Sequence, residues 1–381
     1  MSWFKKILSR RKISIAVFAL GNAAGRVGEL FVGKLKENNI SVRSLLVNQS
    51  NNFSSKIENF DEKLWVNKNK TTSRWDFNEA IEDMKAREEE IRKKVEDKVF
   101  FKKNEEKKDK ELALHLILGS GGGTGAAGAT FIAKIVKEIT GVAPTVIFIL
   151  PEKDEPSLIQ YNTARALNYL GFDKRGPQCP IILFDNEKYL NQYKKLTLDE
   201  ALQEVNKKLA ETLVTTILAA LQEPDHDEFN ATLSDFFNAF TEEARGIGAI
   251  VSFDKDFKSI KEAQKVRYSD IFFKELENST SIKADIYRAK RGYFSVNIPY
   301  SYQTTFETRK IVKKFEKGRI KVALSSINEP ALSIRGILTG IHPDFVDRFW
   351  EILELARDTR KENIKNEKIV RQTRIAIKIK Q

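Results

Sequence analysis

The chain has 381 residues, of which 41% are hydrophobic and 31% charged, with a formal net charge of +12. That is long and apolar enough for two domains or one large composite fold, too apolar for a disordered chain, and without the run of roughly 20 apolar residues that an integral membrane protein needs. Cys179 is the only cysteine and there are three histidines, which excludes an intramolecular disulfide and a thiolate-rich zinc site, while the positive charge points to an anionic partner (nucleotide, nucleic acid or lipid headgroup) or to solubility alone.

Residues 1–12, MSWFKKILSRRK, carry five basic residues and no acid. Trp3, Phe4, Ile7 and Leu8 can share one helical face, so the leader can lie in an anionic membrane surface or dock on the protein itself. A secretory signal is disfavoured, because the apolar run that follows is short and continues into a glycine motif. From Ile13 to about Leu190 the pattern is strand, glycine turn, helix, repeated. Strands are expected at Ile13–Leu20, Val42–Val47, Leu112–Leu118, Thr145–Leu150 and Ile181–Phe184. Helices are expected at Gly25–Asn38, Phe77–Lys98, Thr124–Thr140 and Leu158–Leu170. This alternation predicts an α/β fold, a parallel sheet with helices on both faces. A long helix is expected from Thr197 to about Gln222, with an apolar side wide enough to be buried between two domains, ended by Pro224. A second α/β unit follows, with strands at Ile247–Phe253, Gly292–Ile298, Arg319–Ser325 and Arg374–Ile379 and a helix at Asp344–Asp358. The basic C-terminal stretch lacks interleaved aromatic residues, so no specific nucleic-acid partner is expected.

The chemistry lies in the glycine loops. Gly119-Ser-Gly-Gly-Gly-Thr-Gly125 follows a buried strand and opens a helix, and five of its seven residues are glycine. Backbone N–H groups there can turn toward one point, and the helix start adds its positive dipole end, which makes a cradle for phosphate. Thr124 can donate its hydroxyl or cap the helix. No Gly-Lys-Ser/Thr follows, so this is not a Walker A loop. A second loop, Gly21-Asn-Ala-Ala-Gly25-Arg-Val-Gly28, follows the first strand, and two such loops on one sheet edge can face one ligand. The rival is a dinucleotide fingerprint at Gly123, Gly125 and Gly128, as in an NAD-dependent dehydrogenase. It ranks second because that motif belongs at the first strand and Glu152 is loosely placed for the ribose acid. His226, in Asp-His-Asp-Glu, reads as a solvated loop rather than a metal ligand, since no histidine or cysteine is near it in sequence.

The loop Gly121-Gly-Gly-Thr-Gly125 resembles the signature loop of the tubulin and FtsZ superfamily, and other likenesses come in order. Gly21-Asn-Ala-Ala-Gly-Arg-Val27 is similar to the first nucleotide loop of FtsZ, and Val47-Asn48 to the end of its second strand. Tyr161-Asn162-Thr163-Ala164 and Asp185-Asn186-Glu187 resemble tubulin segments. Asn206 falls where the family places a guanine-contacting asparagine. Asn230-Ala-Thr-Leu-Ser-Asp235 resembles the loop after the central helix. The mixture is similar to the divergent prokaryotic branch that includes CetZ and TubZ. The resemblance implies a leader (1–12), a Rossmann-like GTP-binding domain (13–196), a central helix (197–222), a catalytic loop with its following helix (223–245) and an activation domain (246–381).

It further implies a cytoplasmic, filament-forming cytoskeletal GTPase that binds GTP or GDP with Mg2+ and stacks head to tail, its leader able to reach the inner face of the membrane. The nucleotide would be held by Gly21, Asn22, Gly25, Gly121, Gly122, Gly123, Thr124 and Gly125. Asn186 and Asn206 would read guanine, and Glu155 would meet the ribose hydroxyls. Asp235, with Asn230, would position the attacking water in the next subunit's site. Without the resemblance, Asp235 reads equally as a helix N-cap. Some positions depart from the family. Thr232 replaces the first acid of the catalytic loop, Ala19 and Leu20 replace glycines, and the loop that senses the terminal phosphate has no clear counterpart between Trp65 and Asn78. A scaffold or regulator that binds GTP with little assembly or hydrolysis is the alternative.

Overall fold

A computed structural model describes residues 13–49, 57–67, 76–100, 112–221, 231–240, 244–299, 306–315 and 318–358. The leader, Pro224, His226, Asn230, the expected strand Arg374–Ile379 and residues 68–75, where the sensor loop was sought, lie outside the described residues. Ten strands form one sheet: β1 Ile13–Leu20, β2 Ser41–Asn48, β3 Glu62–Trp65, β4 Leu112–Ser120, β5 Thr145–Leu150, β6 Pro180–Asp185, β7 Gly246–Asp256, β8 Arg291–Pro299, β9 Arg319–Ile327 and β10 Ala331–Ile341. Their order is β3-β2-β1-β4-β5-β6-β7-β10-β8-β9. Neighbours from β3 through β7 run parallel, and β10 lies antiparallel between β7 and β8. The two halves of the chain join through β6 and β7, where Pro180, Ile181 and Ile182 sit opposite Gly246, Ile247 and Gly248.

The central strands are apolar along their whole length because both faces are covered. Every residue of β1, β5 and β6 is buried. Alternate side chains enter two cores. Phe18, Ile117, Phe148 and Leu183 pack under the helices Phe77–Lys85, Glu88–Val99 and Gly123–Thr140, through Met84, Val95 and Ile132. Val17, Leu116, Ile147 and Ile182 pack under Gly21–Glu37 and the long helix Leu198–Leu221, through Phe31, Val205, Leu213 and Ile217. Each such side chain contributes ~1.5–3 kcal/mol of burial. The long helix also reaches Ile250, Tyr293, Ala323 and Ile337 of β7 to β10, so it lies across strands of both halves. Its first residue, Leu198, is 62% exposed, so the apolar side starts later than the sequence suggests.

Three expectations change. The helix expected at Phe77–Lys98 is two helices, because Arg87 leaves helical geometry (φ −125°, ψ 23°) to donate to the Trp65 carbonyl and the Glu90 carboxylate. Glu88, Glu89 and Glu90 then favour a fresh helix start. The first helix starts at Gly21 rather than Gly25, since φ +76° at Gly21 turns the chain straight out of β1. The helix Ser157–Leu167 passes into a π-turn at Asn168–Phe172 instead of running to Leu170 as α-helix.

Candidate functional site

The carboxyl ends of β1, β2, β4, β5 and β6 surround a cavity of about 260 Å³. Gly21, Asn22, Gly121, Gly122, Gly123, Thr124, Gly125, Glu155 and Asn186 all line it, so nine of the expected ligand-binding residues converge from four separate segments. Gly25 packs within its helix and Asn206 lies on the long helix; neither lines the cavity.

Two helices start at this cavity. No described side chain caps the first turn of Gly21–Glu37 or of Gly123–Thr140, and neither turn carries an acid. Their amides and positive dipole ends are therefore available to an anion. The two starts touch: a Cβ added to Gly21 would come within 3.0 Å of the Gly125 nitrogen. Gly122 is different. It has an extended backbone (φ −62°, ψ 160°) that any residue adopts, yet a Cβ there would meet no atom within 4 Å. It is the point at which a side chain would fill the cradle.

A chain of side chains fixes the floor. Asn67 Nδ2 and Gln49 Nε2 both donate to the Asp83 carboxylate, Gln49 at 2.8 Å. With its NH2 group so committed, the buried Gln49 turns Oε1 toward Thr124, whose hydroxyl donates to it at 3.0 Å. The Thr124 hydrogen thus points at Gln49, not at a ligand, and the hydroxyl does not cap its own helix, leaving its lone pairs for the cavity side. Asn48 Nδ2 donates to Asn22 Oδ1 at 2.6 Å and ties the two loops together. The sequence gives no sign of Gln49 or Asp83: neither belongs to a glycine motif, and they are 34 residues apart.

On the opposite rim, the Glu152 amide donates to Glu155 Oε1 at 3.1 Å. Burial pushes the Glu155 carboxyl above its ordinary range, with that N–H and the Arg348 charge opposing. Asn186 opens the short helix Asn186–Leu190, directly after Asp185 at the end of β6. Burial also raises Asp185, against the charge of Arg348.

Asp235 does not line the cavity. Thr232 is the N-cap of the helix Leu233–Asn238 and Asp235 its third residue, so the reading of Asp235 as the cap is corrected by three positions. The two form a capping box: Thr232 N–H donates to Asp235 Oδ2 at 2.8 Å and the Asp235 N–H donates to Thr232 Oγ1 at 3.3 Å. Lys321 Nζ lies 3.9 Å from Asp235 Oδ1.

Among the described residues no cluster of three or more histidine, cysteine or carboxylate side chains could hold a metal ion, and no helix is long and apolar enough to cross a membrane. The fingerprint glycines 123, 125 and 128 all fall in the helix after β4, not after β1.

No protein-family model matches the chain, and no curated protein matches its sequence. Solved structures do. CetZ2 from Haloferax volcanii, in a GTPγS-bound protofilament, superposes with a TM-score of 0.74 and 17% identity, over 92% of this chain and 99% of that one. The GTPγS-form protofilament of Bacillus thuringiensis serovar israelensis TubZ gives 0.69 and 13%, over 96% of each chain. An FtsZ dimer from M. jannaschii gives 0.63 and 18%, over 90% and 93%. Superposing over nine-tenths or more of the chain, these structures show that it has the fold of the tubulin and FtsZ superfamily.

Proposed function

We propose that the protein is a GTP-binding cytoskeletal protein that assembles head to tail into filaments and hydrolyses GTP where two subunits meet. The observation that carries this reading is the convergence of two uncapped helix starts on a cavity where Gly122 leaves space that a side chain would take. That surface suits a polyphosphate, because its amides supply positive potential without a resident counter-charge. Amides of Gly21, Asn22 and Gly121–Gly125 would bind the phosphates, Glu155 the ribose hydroxyls and Asn186 the guanine edge. Since Glu155 is the one carboxylate among the described residues that line this cavity, a Mg2+ ion would be held by phosphate oxygens and water, with Thr124 in the same cavity, and would neutralise charge on the phosphates.

Protofilament structures at full-length coverage support the assembly. In a head-to-tail stack, Asp235 of one subunit would orient water in the next. Its Oδ2 is taken by the capping box, so Oδ1 is the oxygen for that task. The protein is read as cytoplasmic, with residues 1–12 meeting an anionic membrane surface. Vesicle co-sedimentation of the full chain against one lacking those residues tests that contact.

Calorimetry with GTP and identification of the co-purifying nucleotide test the site, and a nicotinamide dinucleotide there would overturn the reading. Light scattering and phosphate release with GTP against GDP test assembly and turnover. Asp235→Ala is expected to leave nucleotide affinity within about twofold, to slow phosphate release at least about tenfold, and to cost ~1 kcal/mol of stability through the lost box. Equal turnover would remove Asp235 from the mechanism. Thr232 favours one second reading. It holds a capping role where the family places an acid, as suits a GTP-binding scaffold with little hydrolysis.

A further inference from the structure

Arg348 stands on the helix 347–358, after β10, in the C-terminal part of the chain. It is 4% exposed. Its Nη2 donates to the Pro151 carbonyl at 2.6 Å, and Pro151 lines the glycine cavity. Nε lies 3.7 Å from Asp185 Oδ1, and Nη2 3.8 Å from Glu187 Oε2. These two carboxylates flank Asn186 on both sides. Nη1 donates to Glu351 Oε2 at 3.0 Å, and Glu351 also accepts from Lys153 Nζ at 3.2 Å. The Lys153 N–H in turn donates to Glu187 Oε2 at 3.1 Å. The guanidinium therefore joins the segment after β5 to the corner after β6.

The helix that carries Arg348 is fixed in place. Phe349, Ile352 and Ala356 are buried, and Phe349 packs edge-on to Phe172 of the π-turn at a centroid distance of 5.3 Å. The corner is held from the same side by backbone contacts: the Asp185 N–H donates to the Ser281 carbonyl at 3.0 Å, and Lys188 Nζ to the Thr280 carbonyl at 2.6 Å. Against this backing the arginine is the cation that lies within 4 Å of all three acids, Asp185, Glu187 and Glu351. Removing it would leave the buried Asp185 carboxylate without its neighbouring cation and close to Glu187.

We propose that Arg348 is a positioning residue for the sugar and base side of the nucleotide site, setting Asn186 and Glu155 from the C-terminal part of the chain without touching the phosphate cradle. This rests on the GTP-binding reading above. It makes the helix 347–358 and the rim of the site one mechanical unit, so that occupancy at the rim and order in that helix reinforce each other.

The test uses the full chain, with GDP and inorganic tripolyphosphate as probes in calorimetry. Arg348→Met keeps volume and loses charge; Arg348→Lys keeps charge and loses the fork. Arg348→Met is expected to weaken GDP binding about tenfold or more while tripolyphosphate stays within about twofold, and Arg348→Lys to fall between. The Met variant's GDP defect is expected to shrink as the pH is lowered, because burial already raises the Asp185 carboxyl and loss of the opposing arginine charge raises it further, so the unpaired group takes up a proton. A packing role would move both probes together and show no such recovery. Should Arg348→Met fail to fold, Glu187→Gln decides: GDP binding weakened several-fold with tripolyphosphate unchanged supports the assignment. Unchanged GDP binding, or equal loss of both probes, overturns it. Wild-type protein that binds neither probe would instead sink the nucleotide reading itself.

Discussion

Two cavities lie side by side at the carboxyl edge of the sheet, and they are built on opposite plans. The larger, about 680 Å³, is lined by Lys153, Lys188, Lys283 and Arg348 against Asp185, Glu187, Glu277, Asp285, Asp347 and Glu351. The smaller, about 260 Å³, has Glu155 as its sole ionisable side chain among the described residues, and its polarity comes from backbone amides and amide or hydroxyl side chains. Size does not choose between them. In the larger one Arg348 lies near Asp185 and Glu187 and donates to Glu351, and although burial raises the Glu351 carboxyl, hydrogen bonds from Lys153 and Arg348 outweigh it and hold the group below its ordinary range. A guest ion there must compete with those partners. In the smaller one the helix starts have no side-chain partner, so the favourable field is left for a ligand. The charged cavity stitches segments together, and the smaller one is where binding is proposed.

The sharpest way to break this comparison is to fill the uncharged cavity and leave the rest alone. Gly122→Val adds a branched side chain at a position with room for it and with an ordinary backbone. GDP affinity is expected to fall by at least about a hundredfold, since a displaced phosphate loses several amide hydrogen bonds. The melting temperature is expected to stay within about 2 °C, as for a substitution that meets no neighbour. A variant that binds GDP normally would show that the cradle is not where the phosphates go.

A smaller effect tests the floor of the same cavity. Gln49→Leu strands the Thr124 hydroxyl and removes one donor from Asp83. The expected cost is about 1–3 kcal/mol in urea unfolding, with GDP binding weakened several-fold as Thr124 loses its orientation. Asp83→Asn is expected to cost less than Gln49→Leu, because an amide oxygen still accepts one of the two bonds. If Gln49→Leu changed stability but not affinity, the chain Asp83–Gln49–Thr124 would belong to the fold alone.

How far these features were legible depended on their range. β1, β4 and the glycine loops are local: strands of eight and nine mostly apolar residues run straight into glycines, all within one stretch of chain. β3 escaped because it is four residues long, at the sheet edge, and contains Glu62 and Lys63. β10 escaped because Arg335, Gly336 and Gly340 interrupt its sequence, although its inward positions alternate as an antiparallel strand requires. Gln49 and Arg348 carry no local signal at all. Their roles depend on Asp83 and on Pro151, and a hydrogen bond across 34 or 197 residues leaves no mark in either segment. Asn206 shows the converse. Its place in an expected pattern was readable, but the helix sets it outside the cavity lining.

The smallest expected effect separates the site from the strand that bears it. β4 carries the glycine loop at one end and His115 nearer the other, five residues before Ser120, or about 16 Å at ordinary strand rise. His115 Nε2 is buried with no hydrogen-bond partner among the described residues. Burial holds its pKa below the ordinary value of 6.5, with a hydrogen bond to the Val99 backbone opposing. The unfolded chain therefore takes up the proton first as pH falls. Stability from this residue is full above about 6.5 and declines below it toward the lower folded pKa. His115→Leu is expected to flatten that part of the stability profile, measured as urea midpoints at pH 7.5, 6.5 and 5.5, while GDP affinity at pH 7.5 stays unchanged. A parallel profile in wild type and variant would show that His115 titrates alike in both states. Loss of GDP binding would show that the base of β4 is not independent of the cradle at its tip.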